Sequence, residues 1–158
     1  MMRLAIVDTN VVVAGLLSQE KSSPTAGILH GMMCGAFLYL LSPKLLGEYR
    51  SVCLRPKISA RHGLSEEEID VVLTEITVNA MWRDPVNQSR APDPGDNHLW
   101  NLLETESAAV LITGDTLLLD NPPSGRQVLS PNAFVTYLCA SSDSTFWRET
   151  TKCSPSSP

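Results

Sequence analysis

Leu4-Ala5-Ile6-Val7, followed at once by Asp8, is the stretch on which the fold turns. Four consecutive apolar residues without polar alternation suit a strand buried on both faces, as strands of a parallel sheet are. The run stops at a carboxylate, and an apolar segment over residues 11–17 then reads as a helix. Ser23-Pro24 pairs a cap with a first-turn proline, so a helix follows to near Gly35. Residues 37–41 read as a second strand. Ser42-Pro43 repeats the cap-proline signal for a helix over 43–54, closed by Arg55-Pro56 because a residue before proline avoids helical dihedrals. Ser65-Glu66-Glu67-Glu68 is a capping box opening a helix to about Asn79.

Further along, residues 80–82 suit a short strand, 85–95 a proline-rich surface loop, and 96–106 a helix with Leu99, Leu102 and Leu103 on one side. Residues 108–113 and 127–129 read as strands, and Ser130-Pro131 starts a last helix through Leu138. Strands alternating with helices predict an α/β fold: three layers, α/β/α, around a mainly parallel sheet of about four to five strands. The domain spans residues 1–139. From 140 to 158 Ser, Thr and Pro dominate and apolar periodicity is lost, so that segment reads as a flexible tail.

Four acids stand out by position. Asp8 and Asp115 each follow a strand, at the carboxyl ends where open α/β sheets place their ligands. Asp96 opens a helix. Glu48 borders the apolar arc formed by Leu45, Leu46, Tyr49, Val52 and Cys53 at ~100° per residue, so its carboxylate can lean toward the sheet. Taken singly, each has an ordinary role as cap, turn or solvated helix residue. Together, carboxylates gathered at one sheet edge repel one another and call for protons or a cation. An all-oxygen set without nearby His or Cys prefers hard ions, magnesium or manganese over zinc. Such ions serve phosphodiester hydrolysis.

The 158 residues suffice for one core-bearing domain, and with 12 Lys plus Arg against 17 Asp plus Glu the net charge is −5. That balance excludes holding nucleic acid by bulk positive charge, though not local, metal-assisted engagement. No apolar run reaches the ~20 residues of a membrane span, and no signal-peptide pattern is visible, so a soluble cytoplasmic protein without membrane contact is expected. Cys34, Cys53, Cys139 and Cys153 are scattered, which predicts reduced, apolar-packing cysteines rather than a zinc or disulfide framework.

Ile6-Val7-Asp8-Thr9-Asn10-Val11, Glu48, Arg55-Pro56-Lys57-Ile58, Asp93-Pro94-Gly95-Asp96 before a helix, and Leu111-Ile112-Thr113-Gly114-Asp115 together resemble the PIN domain (PilT N-terminus) nucleases. More narrowly, the string is similar to the branch of toxin components of type II toxin–antitoxin systems (VapC-like). The similarity runs over residues 2–138, and its specificity lies in the order and spacing of motifs that are weak alone. The resemblance implies a metal-dependent endoribonuclease. Asp8 would be the central metal ligand and Glu48 the second acid, with Asp96 third and Asp115 fourth, often through water; Thr9, Asn10 and Thr113 would support them by hydrogen bonds. It also implies Mg or Mn as cofactor, RNA as substrate, a cognate antitoxin protein that covers the site, and a homodimer or higher homo-oligomer. Gly95 and Asn97 thin an acidic run that is denser in the family, so Asp96 is preferred as third ligand for opening the helix, with Asp93 in reserve.

Lys44, Arg50, Arg55, Lys57 and Arg61 cluster with Glu48 as the only acid among them, and are candidate RNA-phosphate contacts against the plainer reading of a solvated face. Trp82 and Trp100 are assigned to core or interface, and His98 to a solvent-facing helix position rather than to a scissile phosphate. Two alternatives compete: a non-catalytic PIN-like interaction module, and an aspartyl-nucleophile phosphatase. The latter is disfavoured because Asn10 stands where its second Asp belongs.

Overall fold

The computed structural model describes residues 4–86, 90–141 and 147. Strand β1, Leu4–Val7, runs parallel to β4, Ala109–Ile112, which runs parallel to β5, Gln127–Leu129. A second parallel pair joins β2, Leu40–Leu41, to β3, Met81–Trp82. A parallel bridge from Ala5 to Tyr39 and the Ala5 N–H donating to the Leu38 carbonyl at 3.0 Å set this two-stranded sheet beside the three-stranded one, so that the strands follow one another as β3-β2-β1-β4-β5. The expected second strand over 37–41 is therefore mostly bridge rather than ladder.

The helices are α1 (Thr9–Leu17), α2 (Pro24–Cys34), α3 (Pro43–Cys53), α4 (Pro56–His62), α5 (Glu66–Asn79), α6 (Asn97–Glu104), α7 (Thr116–Asp120) and α8 (Pro131–Cys139). Right-handed crossovers put the helices between β1, β2 and β3 on one face and those between β3, β4 and β5 on the other. Accordingly α1, α2, α3 and α5 pack among themselves, while α6 packs on β1 and β4 and α7 on β5; α8 returns to α2. The predicted capping signals are in place: the Ser23, Ser42 and Ser130 hydroxyls accept from Ala26, Leu45 and Ala133, and Ser65 and Glu68 form both halves of the capping box. Gly35 closes α2 at φ +70°, which a side chain would resist.

Two helices were not anticipated. Arg55-Pro56 ends α3, but Pro56 also occupies the first turn of α4, where a proline loses no hydrogen bond. The five-residue α7 is started by the Asp115 carboxylate accepting from Leu117 N–H at 3.0 Å. Of the expected loop, residues 87–89 lie outside the described ones; its end forms a 3-10 turn, Pro94–Asp96.

The core centres on β1, β4 and the inner faces of the helices. The Tyr39 hydroxyl reaches from the sheet to lie between carbonyls on α5 (Ile76, 2.6 Å) and α2 (Met32, 3.0 Å), sharing its one hydrogen between them. Tyr49 on α3 donates to the Val7 carbonyl, fixing that helix at the exit of β1. Phe37 meets the rings of Tyr39, Phe134 and Trp147 at centroid distances of 5.6, 5.4 and 5.7 Å. A Cβ added at Gly31 would lie 2.7 Å from Trp147, so the glycine is what lets the indole lie against α2. Trp100 is buried as expected, whereas Trp82 is 42 % exposed on the edge strand.

Most of the segment 140–158 lies outside the described residues, but Trp147 is 2 % exposed and packed into the core, so at that residue the chain is docked. The cysteine expectation needs correcting. Cys34 and Cys53 are free, but Cys139 is disulfide-bonded, to a partner outside the described residues. Pairing depends on spatial approach, which scattered sequence positions do not reveal. No helix among the described residues is long and apolar enough to cross a membrane.

Candidate active site

The strand order reverses direction between β1 and β4, and the crevice beyond their carboxyl ends is where open α/β sheets bind ligands. Asp8 leaves β1 there and is only 5 % exposed. One carboxylate oxygen accepts from the Thr9 N–H at 2.7 Å. The other accepts from the Thr113 hydroxyl at 2.8 Å and the Asn10 amide at 3.1 Å. Thr113 Oγ1 in turn accepts from the Asp115 N–H at 3.0 Å, and Asn10 Oδ1 accepts from the Gly114 N–H at 3.0 Å. These bonds stitch the β1 exit to the β4 exit and leave Thr113 a single hydrogen, which goes to Asp8. Thr9, Asn10 and Thr113 thus hydrogen-bond to the carboxylates of Asp8 or Glu48.

Glu48 on α3 does lean inward. Its Oε1 accepts from Thr9 Oγ1 at 2.5 Å and its Oε2 from His98 Nε2 at 2.9 Å. His98 is 6 % exposed, so the solvent-facing assignment is wrong: every residue of α6 from His98 to Leu103 is buried, and the helix has no wet face there. Asp96 precedes α6 without capping it. Asp93 instead caps the 3-10 turn through the Gly95 N–H at 2.9 Å and is exposed, while Asn97 pins the loop by accepting from the Ala91 N–H at 2.8 Å. Of the two candidates for a third acid, it is Asp96 that has an uncommitted carboxylate facing the cleft.

Asp8, Glu48, Asp96 and Asp115 line one cleft of about 570 Å³. Its far wall is aliphatic, from Val13, Leu17, Val52 and Ile58, and its rim carries Arg55 and Arg61. The remaining basic candidates fall elsewhere. Arg50 is bound to Asp70 at 2.9 Å and to Glu66 at 2.6 Å, and Lys44 and Lys57 are exposed outside the cleft. Two carboxylates one helical turn apart on α5 thus engage the Arg50 guanidinium.

Within the cleft Glu48 is paired with His98 at 2.9 Å, and among the described residues the other three acids have no such partner. Among the described residues no Lys or Arg forms an ion pair with Asp8, Asp96 or Asp115. Burial, followed by repulsion from Asp8, Asp93, Asp115 and Glu48, pushes the Asp96 carboxyl up to about 6. Burial also raises Asp8, against the hydrogen bonds from Thr113 and Thr9. Glu48 moves down, chiefly because His98 donates to it. Among the described residues no group of three or more His, Cys, Asp or Glu is already drawn together at metal-binding spacing. The donor set nevertheless fits a hard cation: oxygen ligands, unneutralised charge and an accessible cleft.

A pH dependence follows. Because the folded Asp96 carboxyl sits above its usual 3.8, the native state holds more protons than the unfolded one between about pH 4 and 6. This group's contribution to stability must fall as pH rises through that window. Metal-free protein should show that decline by differential scanning fluorimetry, and Asp96→Asn should flatten it. Manganese should protect most at the upper end; an unchanged slope in the variant would refute the assignment.

A sequence-family model of the PIN domain matches residues 5–117, a span containing all four acids. No curated protein and no solved structure matches the chain. With the match covering well over half of the 158 residues and the acids meeting at the switch point of a parallel α/β sheet, the chain belongs to the PIN domain family, whose members are in general metal-dependent nucleases.

Proposed function

We propose that the protein is a Mg- or Mn-dependent endoribonuclease and the toxin component of a type II toxin–antitoxin pair. One observation carries the catalytic reading: four carboxylates from four separate parts of the chain line one cleft without a cationic partner for Asp8, Asp96 or Asp115. Asp8, Glu48, Asp96 and Asp115 would hold the ion, whereas Asp93 does not line the cleft. When bound, magnesium or manganese supplies charge neutralisation at the phosphate and a more acidic water for in-line attack. Asp8 is fixed by Thr9, Asn10 and Thr113, so it is oriented before substrate arrives. The toxin assignment, the cognate antitoxin and self-association rest on the resemblance of the motifs.

Arg55 and Arg61 at the rim are the phosphate contacts. Replacing both by Gln should raise KM for RNA, leave kcat within a few-fold and lessen the salt dependence of binding by about two phosphate contacts. Arg50→Gln should leave RNA binding unchanged. Equal losses in both variants would mean a diffuse surface rather than this rim.

The direct test is incubation of the full chain with RNA in Mg or Mn, with and without chelator. Internal cleavage that stops on chelation supports the reading, and chelator-resistant cleavage or none overturns it. A non-catalytic PIN-like module has one observation in its favour, the absence of three ligands already at binding distance among the described residues. A manganese-dependent rise in Tm, lost in the Asp8/Asp96 double variant, separates the two. The phosphatase alternative is weakened further, because the Asn10 side chain is engaged with Asp8, Thr113 and Gly114.

A further inference from the structure

Glu48 sits in the middle of α3, where a glutamate ordinarily samples several rotamers in water. Here both of its oxygens are engaged from opposite sides, Oε1 by Thr9 and Oε2 by His98. A carboxylate only accepts, so the His98 Nε2 must carry the hydrogen. The other ring nitrogen, Nδ1, is buried with no hydrogen-bond partner among the described residues. An unsatisfied buried nitrogen is unfavourable, and an apolar side chain would avoid it. Packing alone therefore does not account for histidine at this point, whereas its reach to Glu48 does. The bond also ties α3, which carries Glu48, to the helix that begins directly after Asp96.

The geometry points to His98 as a positioning residue that fixes the direction of Glu48, so that its carboxylate faces the cleft beside Asp8 and Asp96 when a divalent cation binds. This rests on the metal-nuclease reading above for its purpose, though not for the contact itself. His98 does not reach the reacting atoms by this argument; it acts through Glu48. Each Glu48 oxygen keeps a second lone-pair direction after accepting from Thr9 or His98, so the clamp orients the group without using it up. Partners that hold metal-binding side chains in this way typically change metal affinity or activity by roughly 10–100-fold when removed.

Two variants test it. His98→Leu removes the donor while keeping an apolar side chain in a buried place, and His98→Gln offers an amide N–H at about the reach of Nε2. Manganese titrations followed by Tm should need roughly 10–100-fold more metal in His98→Leu, with most of the wild-type response kept in His98→Gln. Crystal structures of both variants without metal should show Glu48 in one rotamer on Thr9 in His98→Gln and released from it in His98→Leu. A wild-type manganese response in His98→Leu overturns the proposal wherever Glu48 lies. If the wild-type protein itself fails to respond to manganese, the nuclease reading falls. The metal-free structures then decide the contact alone: an unmoved Glu48 in His98→Leu makes His98 a packing residue.

Discussion

Asp8→Asn should abolish RNA cleavage while leaving the fold in place. The carboxylate is the most buried of the four acids and is held by three donors, Thr9 N–H, Asn10 Nδ2 and Thr113 Oγ1. Asparagine is isosteric and can still accept from Thr9. Its amide NH2 would then face the Asn10 NH2, which cannot turn away because Asn10 Oδ1 is held by Gly114. The hydrogen bonds from both the Thr113 hydroxyl and the Asn10 amide to that position are lost, worth ~2 kcal/mol. Relief of a buried charge, the main cause of the raised Asp8 pKa, offsets this loss. Metal-free Tm should therefore stay close to wild type. Loss of ~4 kcal/mol of charge stabilisation at the phosphate, at ~1.36 kcal/mol per tenfold, predicts a rate reduced roughly a thousandfold. The check is single-turnover cleavage of labelled RNA in manganese; cleavage within tenfold of wild type would remove Asp8 from the chemistry.

Trp147→Ala should be the most destabilising single change in the C-terminal region. The indole is almost fully buried, lies against Gly31 and stands 5.7 Å from the Phe37 ring. Truncating such a side chain costs ~3–5 kcal/mol through lost transfer energy and the cavity left behind. For a domain of this size that corresponds to a fall of about 10 °C in Tm. Trp82→Ala, on the exposed sheet edge, should cost far less. An unchanged Tm in Trp147→Ala would restore the reading of the whole segment as a free tail.

Features set by local rules were legible in the sequence. The apolar run before Asp8, the serine caps and the strand ahead of Gly114 each follow from neighbours within a few residues, and the sheet and most helices lie where those signals put them. Glu48 was legible for the same reason, since helical spacing alone sets it at the border of a buried arc. His98 was not, because its partner is 50 positions away and only the α3–α6 packing brings the two together. The ion pairs of Arg50 were hidden for the same reason: its carboxylates come from another helix, 16 and 20 positions on. The α4 helix shows a different limit. One proline can stop a helix and start the next, and the stop was the only half read. The disulfide of Cys139 and the burial of Trp147 depend on approach in space, for which composition offers no signal.

The bond between Thr113 and Asp8 closes 105 positions of sequence, and β1 has β4 as its ladder partner. Contacts this distant form late, after loop-closure entropy has been overcome, and parallel pairings are slow for that reason. The acids at 8, 48, 96 and 115 therefore come together only when β4 docks beside β1. During synthesis from the N-terminus, a chain shorter than Asp115 lacks the fourth acid and the hydrogen-bonded turn that orients the first. Assembly of the cleft depends on the docking of β4 beside β1, so nuclease competence should appear in refolding with the phase that forms this pairing and with no earlier burst.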